Sequence, residues 1–143
     1  KSPEEYRKAL GAGGRKIGTY AGQILGKTPV SQEEVEEDLV FVTGSQLGLK
    51  NNVRRDAIYK RALECGLKKC PAEVGPALRE QYPDQPIGEW LLIGMDPIAD
   101  SGGGLRVFCV GHADGGLWLD GSDGGPDGVW FLGGRWVFVL PRK

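Results

Sequence analysis

Histidine and methionine occur once each in this 143-residue chain, as His112 and Met95. Cysteine occurs three times, and no apolar run approaches the roughly 18 residues of a membrane-spanning helix. One imidazole excludes the multi-histidine metal centres, because a usual four-ligand site would have to be completed by carboxylates. Cys65, Cys70 and Cys109 are an odd set at irregular spacing and cannot close into a disulfide framework; Cys65-x4-Cys70 also lacks the spacing of a zinc knuckle. A reducing, cytoplasmic compartment is the expectation, with no metal and no cofactor. Lys1-Ser2-Pro3-Glu4-Glu5 lacks the basic, apolar and small-residue succession of a secretory leader. Charge of one sign is lacking too: 18 basic residues face 19 acidic ones, for a net charge of −1. The whole molecule therefore has no field that would draw it to nucleic acid or an anionic membrane, and only local patches can argue for either.

Glycine is abundant, with 24 positions and no Gly-X-Y period. Ten glycines precede Gly88 and 14 run from Gly88 onward, and the later ones are expected to make hairpin turns. Composition changes near Pro83-Asp84-Gln85-Pro86, which cannot continue a helix. Residues 1–85 read as helical and 86–143 as a β-meander, within one domain. Ser2, Pro3 and Glu5 form a capping box for a first helix. A second helix fits Ile17, Tyr20, Ala21, Ile24 and Leu25, spaced i, i+3, i+4, i+7, i+8. Two further helices are expected over Val53–Glu64 and from Pro71 to Gln81, whereas Leu39–Thr43 fits a buried strand or a helix end equally well. Short β-rich runs follow at Trp90–Ile93, Leu105–Val110, Leu117–Leu119, Val129–Phe131 and Trp136–Leu140. The expected fold is α+β, with N-terminal helices packed on a C-terminal antiparallel sheet of four to five short strands.

Five constellations bear on function. Arg54 to Gln81 reads as a helix, a turn containing Gly66-Leu67-Lys68-Lys69 and a second helix, and from Lys50 to Lys69 the chain carries Lys50, Arg54, Arg55, Lys60, Arg61, Lys68 and Lys69 against Asp56 and Glu64. This is the helix-turn-helix plan and could meet phosphates. The second helix, however, offers only Glu73, Arg79, Glu80 and Gln81, of which two repel phosphate, so a helical hairpin contacting a protein partner is preferred. The acidic residues Glu33, Glu34, Glu36, Glu37 and Asp38 are expected to neutralise the basic stretch. Gly11–Thr19 fails both the Walker and the dinucleotide registers. Asp120–Gly128 resembles a calcium loop, but its twelfth position is Phe131 rather than a bidentate acid. Cys109 and His112, with Asp114, are the one thiol–imidazole pairing and would serve a small hydrolase or transferase, aided by Asp120, Asp123 and Asp127. Strand alternation puts Cys109 and His112 on opposite faces unless Gly111 breaks it. Of the four tryptophans, Trp136 is expected in the core, and Trp118 and Trp130 are expected to be available to a ligand.

In Asp84–Trp90, Leu91-Leu92-Ile93-Gly94-Met95 and Arg135–Val139 the chain resembles a group of small uncharacterised bacterial proteins. The resemblance implies a bacterial cytoplasmic origin and assigns no activity, substrate or catalytic residue. The expectation is a non-enzymatic interaction or regulatory module that binds a protein partner, with nucleic acid second and no membrane association.

Overall fold

The computed structural model of the chain describes residues 1–130 and 133–142. The first helix, α1 (Pro3–Ala12), opens on the expected capping box. Ser2 Oγ accepts from the Glu5 amide at 3.2 Å, and Glu5 Oε1 accepts from the Ser2 amide at 2.9 Å. In chain order there follow β1 (Lys16–Ile17), α2 (Thr19–Leu25), β2 (Leu39–Thr43), β3 (Val53–Arg54), α3 (Arg55–Glu64) and α4 (Val74–Gln81). The rest is β4 (Trp90–Ile93), β5 (Ile98–Ala99), β6 (Leu105–Ala113), β7 (Gly116–Asp123), β8 (Val129–Trp130) and β9 (Arg135–Val139). Leu39–Thr43 is thus a strand, and Phe131, the last residue of one expected strand, lies outside the described residues.

The fold is α+β, but the sheet departs from the expected meander. Seven strands run in the order β1-β7-β6-β4-β9-β2, with β5 also paired to β6, while β3 and β8 pair separately. The sheet is mixed, since β1–β7 and β4–β9 are parallel. Three of the strands come from the half expected to be helical. The position of β9 has a physical reason. Trp136, Val137, Phe138 and Val139 are all buried, so this strand needs cover on both faces, which the interior of the sheet provides. It inserts between β4 and β2 instead of returning beside β7.

Alternation along the central strands divides the interior in two. One face carries Leu91, Ile93, Phe108, Val110, Leu119 and Val137 against Leu10, Ile24 and Leu25 of α1 and α2, and against Val74 of α4. The other carries Leu92, Cys109, Trp136 and Phe138 against Ile58, Tyr59 and Ala62 of α3. Between α3 and α4 the chain passes from one face to the other around the ends of β4 and β9. There Lys68 and Val139 exchange backbone hydrogen bonds at 2.9 Å, and the Cys70 amide donates to Gly94 O at 2.7 Å. The expected helical hairpin is therefore absent: its two helices lie on opposite sides of the sheet.

The glycines also do more than turn the chain. From Gly88 onward only Gly88, Gly103 and Gly116 take positive φ among the described residues. Gly121 instead lets α2 sit down on β7: a Cβ there would fall 2.9 Å from Tyr20 Cβ and 3.1 Å from the Ala21 amide nitrogen.

Candidate functional site

The α3 helix starts without a side-chain cap. Its first amides are taken by the loop before β8, with Arg55 N donating to Gly128 O at 2.8 Å and Asp56 N to Pro126 O at 3.0 Å. Arg55, Ile58, Tyr59 and Ala62 then follow at i, i+3, i+4 and i+7, all buried, so the inward stripe of the helix begins with a cation. Arg55 is 3% exposed. Its Nη1 donates to Gly124 O at 2.8 Å and Nη2 to Met95 O at 2.9 Å, and Nη2 also donates to the Tyr59 hydroxyl. Nε has no acceptor. The guanidinium lies 4.3 Å from the Tyr59 ring centroid, a cation–π contact. No carboxylate of the described residues comes within 4 Å of it. Burial draws the Arg55 pKa below the ordinary arginine range and pushes Tyr59 upward, so the phenol stays protonated.

Arg55 and Tyr59 line a cavity of about 500 Å³. Leu63, Pro97, Leu105 and Pro126 form apolar walls, and Lys60, Lys69, Asp56 and Asp96 complete the lining. Lys69 pairs with Asp96 at 2.7 Å and Asp56 with Arg54 at 3.0 Å. Lys60 has no carboxylate within ion-pair distance among the described residues. Leu63 and Leu105 are 51% and 40% exposed.

The fate of the basic stretch is mixed. Arg55, Lys60 and Lys69 meet at this cavity. Arg61 is tied to Leu47 O at 2.7 Å and lies 3.7 Å from Glu64, while Lys68 takes part in the backbone bridge to β9. The acidic run does not neutralise this stretch; Asp38 and Glu36 pair with Arg142 at 2.9 and 3.5 Å. Glu33, Glu34 and Glu37, with Glu73 and Glu80, line a second cleft of about 630 Å³ on the face of α1 and α4. There Glu73 accepts from the Tyr6 hydroxyl and from the Ser31 amide at 2.8 Å, and Glu80 pairs with Lys1 at 3.3 Å.

The thiol and imidazole are not brought together. Cys109 is buried on the α3 face, where burial pushes its pKa up to about 12. His112 continues a regular strand, turns to the other side and donates from Nδ1 to Gln85 O at 2.6 Å. Asp114 lies in the β6–β7 turn, and Asp120 and Asp123 accept at 2.9 Å from the amides of Gly121 and Gly125. Neither cleft is lined by His112, Asp114, Asp120, Asp123 or Asp127. Trp130 packs edge-on against Trp136 with centroids 5.7 Å apart, in the α3-side core. Trp118 is half-buried, with the Lys16 ammonium 5.4 Å from its ring centroid.

Sequence reasoning placed Arg55 on a solvated patch, although its spacing to Ile58, Tyr59 and Ala62 marks it as inward-facing. Arg79 went equally unrecognised as a core residue. It is fully buried, and its Nη1 donates to Gln85 Oε1 at 2.7 Å, Gly111 O at 2.8 Å and Trp118 O at 3.2 Å, with Nη2 to Tyr82 O at 2.7 Å. Among the described residues no group of three or more His, Cys, Asp or Glu could hold a metal ion, and no helix is long and apolar enough to cross a membrane. No family model matches the chain, and neither a curated protein nor a solved structure is significantly similar to it.

Proposed function

We propose that this chain is a non-enzymatic interaction module of a bacterial cytoplasm, and that it docks an acidic, partly apolar segment of a partner protein on its α3 side. The observation that carries this reading is the pairing of half-exposed Leu63 and Leu105 with the unpaired Lys60 around one open apolar cavity. An apolar anchor inside a polar, charged rim is the anatomy of a protein interface. Three free thiols accord with a reducing compartment. Nucleic acid is the lesser reading: with α3 and α4 on opposite faces, no second helix stands beside the basic one to enter a groove.

Fluorescence anisotropy with a labelled peptide of alternating Glu and Leu tests the proposal, with a Lys–Leu peptide and mixed DNA and RNA at two salt concentrations as controls. Binding of the Glu–Leu peptide is expected, weakened about tenfold by Lys60→Glu and by Leu63→Glu. Nucleic-acid binding that both variants abolish, or a Glu–Leu affinity that neither variant changes, would overturn it.

A further inference from the structure

We infer that the α3-side cavity is a recognition site for a carboxylate on an apolar body, with Arg55 as its receptor. The inference rests on the docking reading above only for the location of the site; the ligand chemistry comes from Arg55 itself. A cation removed from water is costly unless it is paired. Arg55 is 97% removed from solvent, yet it hydrogen-bonds only to carbonyls and a phenol, its Nε–H lacks any acceptor, and Asp123 and Asp96 act on it only from beyond ion-pair distance. Carbonyl bonds alone are not evidence of a site, since Arg79 makes more of them. The difference is access: Arg79 lines neither cleft, whereas Arg55 lines a cavity of a size that holds small organic ligands.

The lining also selects the charge and the carrier. Arg55, Lys60 and Lys69 stand against Asp56 and Asp96, a surplus of one positive charge, which suits a monoanion and disfavours a dianionic phosphate beside two carboxylates. Charge-assisted hydrogen bonds from guanidinium to carboxylate are about twice as strong as neutral ones. Leu63, Pro97, Leu105 and Pro126 offer nothing polar to the remainder of the ligand, so the body attached to the carboxylate is aliphatic or aromatic. Tyr59 fixes the guanidinium from one side, donating at 2.9 Å to Met95 O and accepting at 2.9 Å from the Met95 amide, so the receptor is held before a ligand arrives. The same chemistry can come from a free hydrophobic acid or from the C-terminus of a chain that ends in an apolar residue.

The test titrates the intact protein with octanoate and octanamide, and with a Leu-terminated peptide in its free-acid and amidated forms. The readouts are the side-chain Nε–H resonance of Arg55 and thermal stability. At least one acid is expected to bind about tenfold more tightly than its amide. Octanoate alone would point to a free acid, and the peptide acid alone to a chain terminus; either supports the inference. Arg55→Gln is expected to erase the preference for acid over amide, and Leu63→Glu, at a position where folding is not at stake, to weaken the acid selectively by placing a second anion at the rim. Equal affinity of acid and amide, or no binding of either acid, overturns the carboxylate site. Loss of Glu–Leu peptide binding with octanoate binding retained overturns the docking proposal and leaves the carboxylate site standing.

Discussion

On the face covered by α1, α2 and α4, Arg79 is enclosed by four oxygen acceptors and lines neither cleft; on the face covered by α3, Arg55 is nearly as buried but opens on a cavity. The surroundings differ in kind as well. Leucine, isoleucine and valine dominate the first interior, whereas the second is built around Tyr59, Trp136 and Phe138 with Leu47, Ile58, Leu67 and Leu92 about them, Tyr59 lying edge-on to both other rings at centroid distances of 5.7 and 5.6 Å. Arg79 joins the end of α4 to the backbones of β6 and β7 and acts as a structural cross-link. Arg55 is held on an aromatic base beside an opening. An unpaired Nε does not separate the two residues, since both have one. What separates them is whether a further acceptor can reach the neighbourhood.

Replacing each arginine by methionine gives the largest expected effect. Arg79→Met leaves Gly111 O, Trp118 O and Tyr82 O without this donor. At about 1–3 kcal/mol for each buried acceptor left unsatisfied, a loss of at least about 3 kcal/mol is expected in urea unfolding. Desolvation draws the Arg79 pKa down to about 10, and removing that buried charge offsets only part of the loss. Arg55→Met should cost about 1–2 kcal/mol, because Met95 O keeps its bond from the Tyr59 hydroxyl and only Gly124 O loses its donor. Equal losses would erase the contrast between a cross-link and a receptor.

A smaller effect separates the two faces at their glycines. At Gly121 an added methyl meets Tyr20 Cβ and the α2 backbone, which cannot yield without moving the helix. Gly121→Ala is therefore expected to cost about 1–3 kcal/mol. At Gly111, on the α3 face, the obstacle is the ring of Trp90, which is 38% exposed and can swing outward. Gly111→Ala should cost under about 1 kcal/mol, with a rise in Trp90 fluorescence quenching by acrylamide as the ring moves into water. A larger loss at Gly111 than at Gly121 would show that the α3 face is the more rigidly packed of the two.

The parts of this fold that were legible in the sequence are those fixed by near neighbours. The capping box at Ser2 and Glu5, the inward Ala21, Ile24 and Leu25 of α2 and the strand character of residues 90–93 and 105–110 follow from spacing and side-chain type alone, whereas Ile17 and Tyr20, expected on the same stripe, fall in β1 and on the exposed side of α2. Pairing across the sheet does not. Nothing local to Trp136–Val139 tells it to lie parallel to β4, and nothing local to Lys68–Pro71 tells the chain to cross to the other face; both are set by which apolar surfaces find each other at long range. The site was half legible. Arg55, Lys60 and Lys69 belong to the basic stretch that the composition singled out, but counting charges treats every arginine as solvated. Helical periodicity assigns Arg55 to the same arc as Ile58 and Ala62, and that geometric reading outweighs charge wherever the two conflict.

Arg106 provides the remaining contrast, because it has the counter-ion that Arg55 and Arg79 lack. Its Nε donates to Asp100 Oδ2 at 3.0 Å, and its guanidinium covers the Tyr20 ring at 3.6 Å. The Arg106 bond, with the amides of Gly104 and Gly102, holds the Asp100 carboxyl below the usual carboxylate range. A pKa lower in the folded than in the unfolded chain means that the unfolded state binds the proton more readily. The contribution of Asp100 is then fully present above its unfolded value of about 4, and it is lost as the pH falls through the folded one. Asp100→Asn should therefore lower the urea midpoint at pH 7, and the gap to the parent protein should narrow between pH 4 and pH 2.5. A gap that stays constant over that range would mean that the loop is held by hydrogen-bond geometry rather than charge. Arg55 has no carboxylate within ion-pair distance among the described residues, only Asp123 and Asp96 acting from further off, so the effect of Arg55→Met on stability should change much less over the same range. If it narrowed as much as the Asp100 gap, Asp123 or Asp96 would be answering Arg55 within the protein, and the cavity would lose its claim to supply a carboxylate from outside.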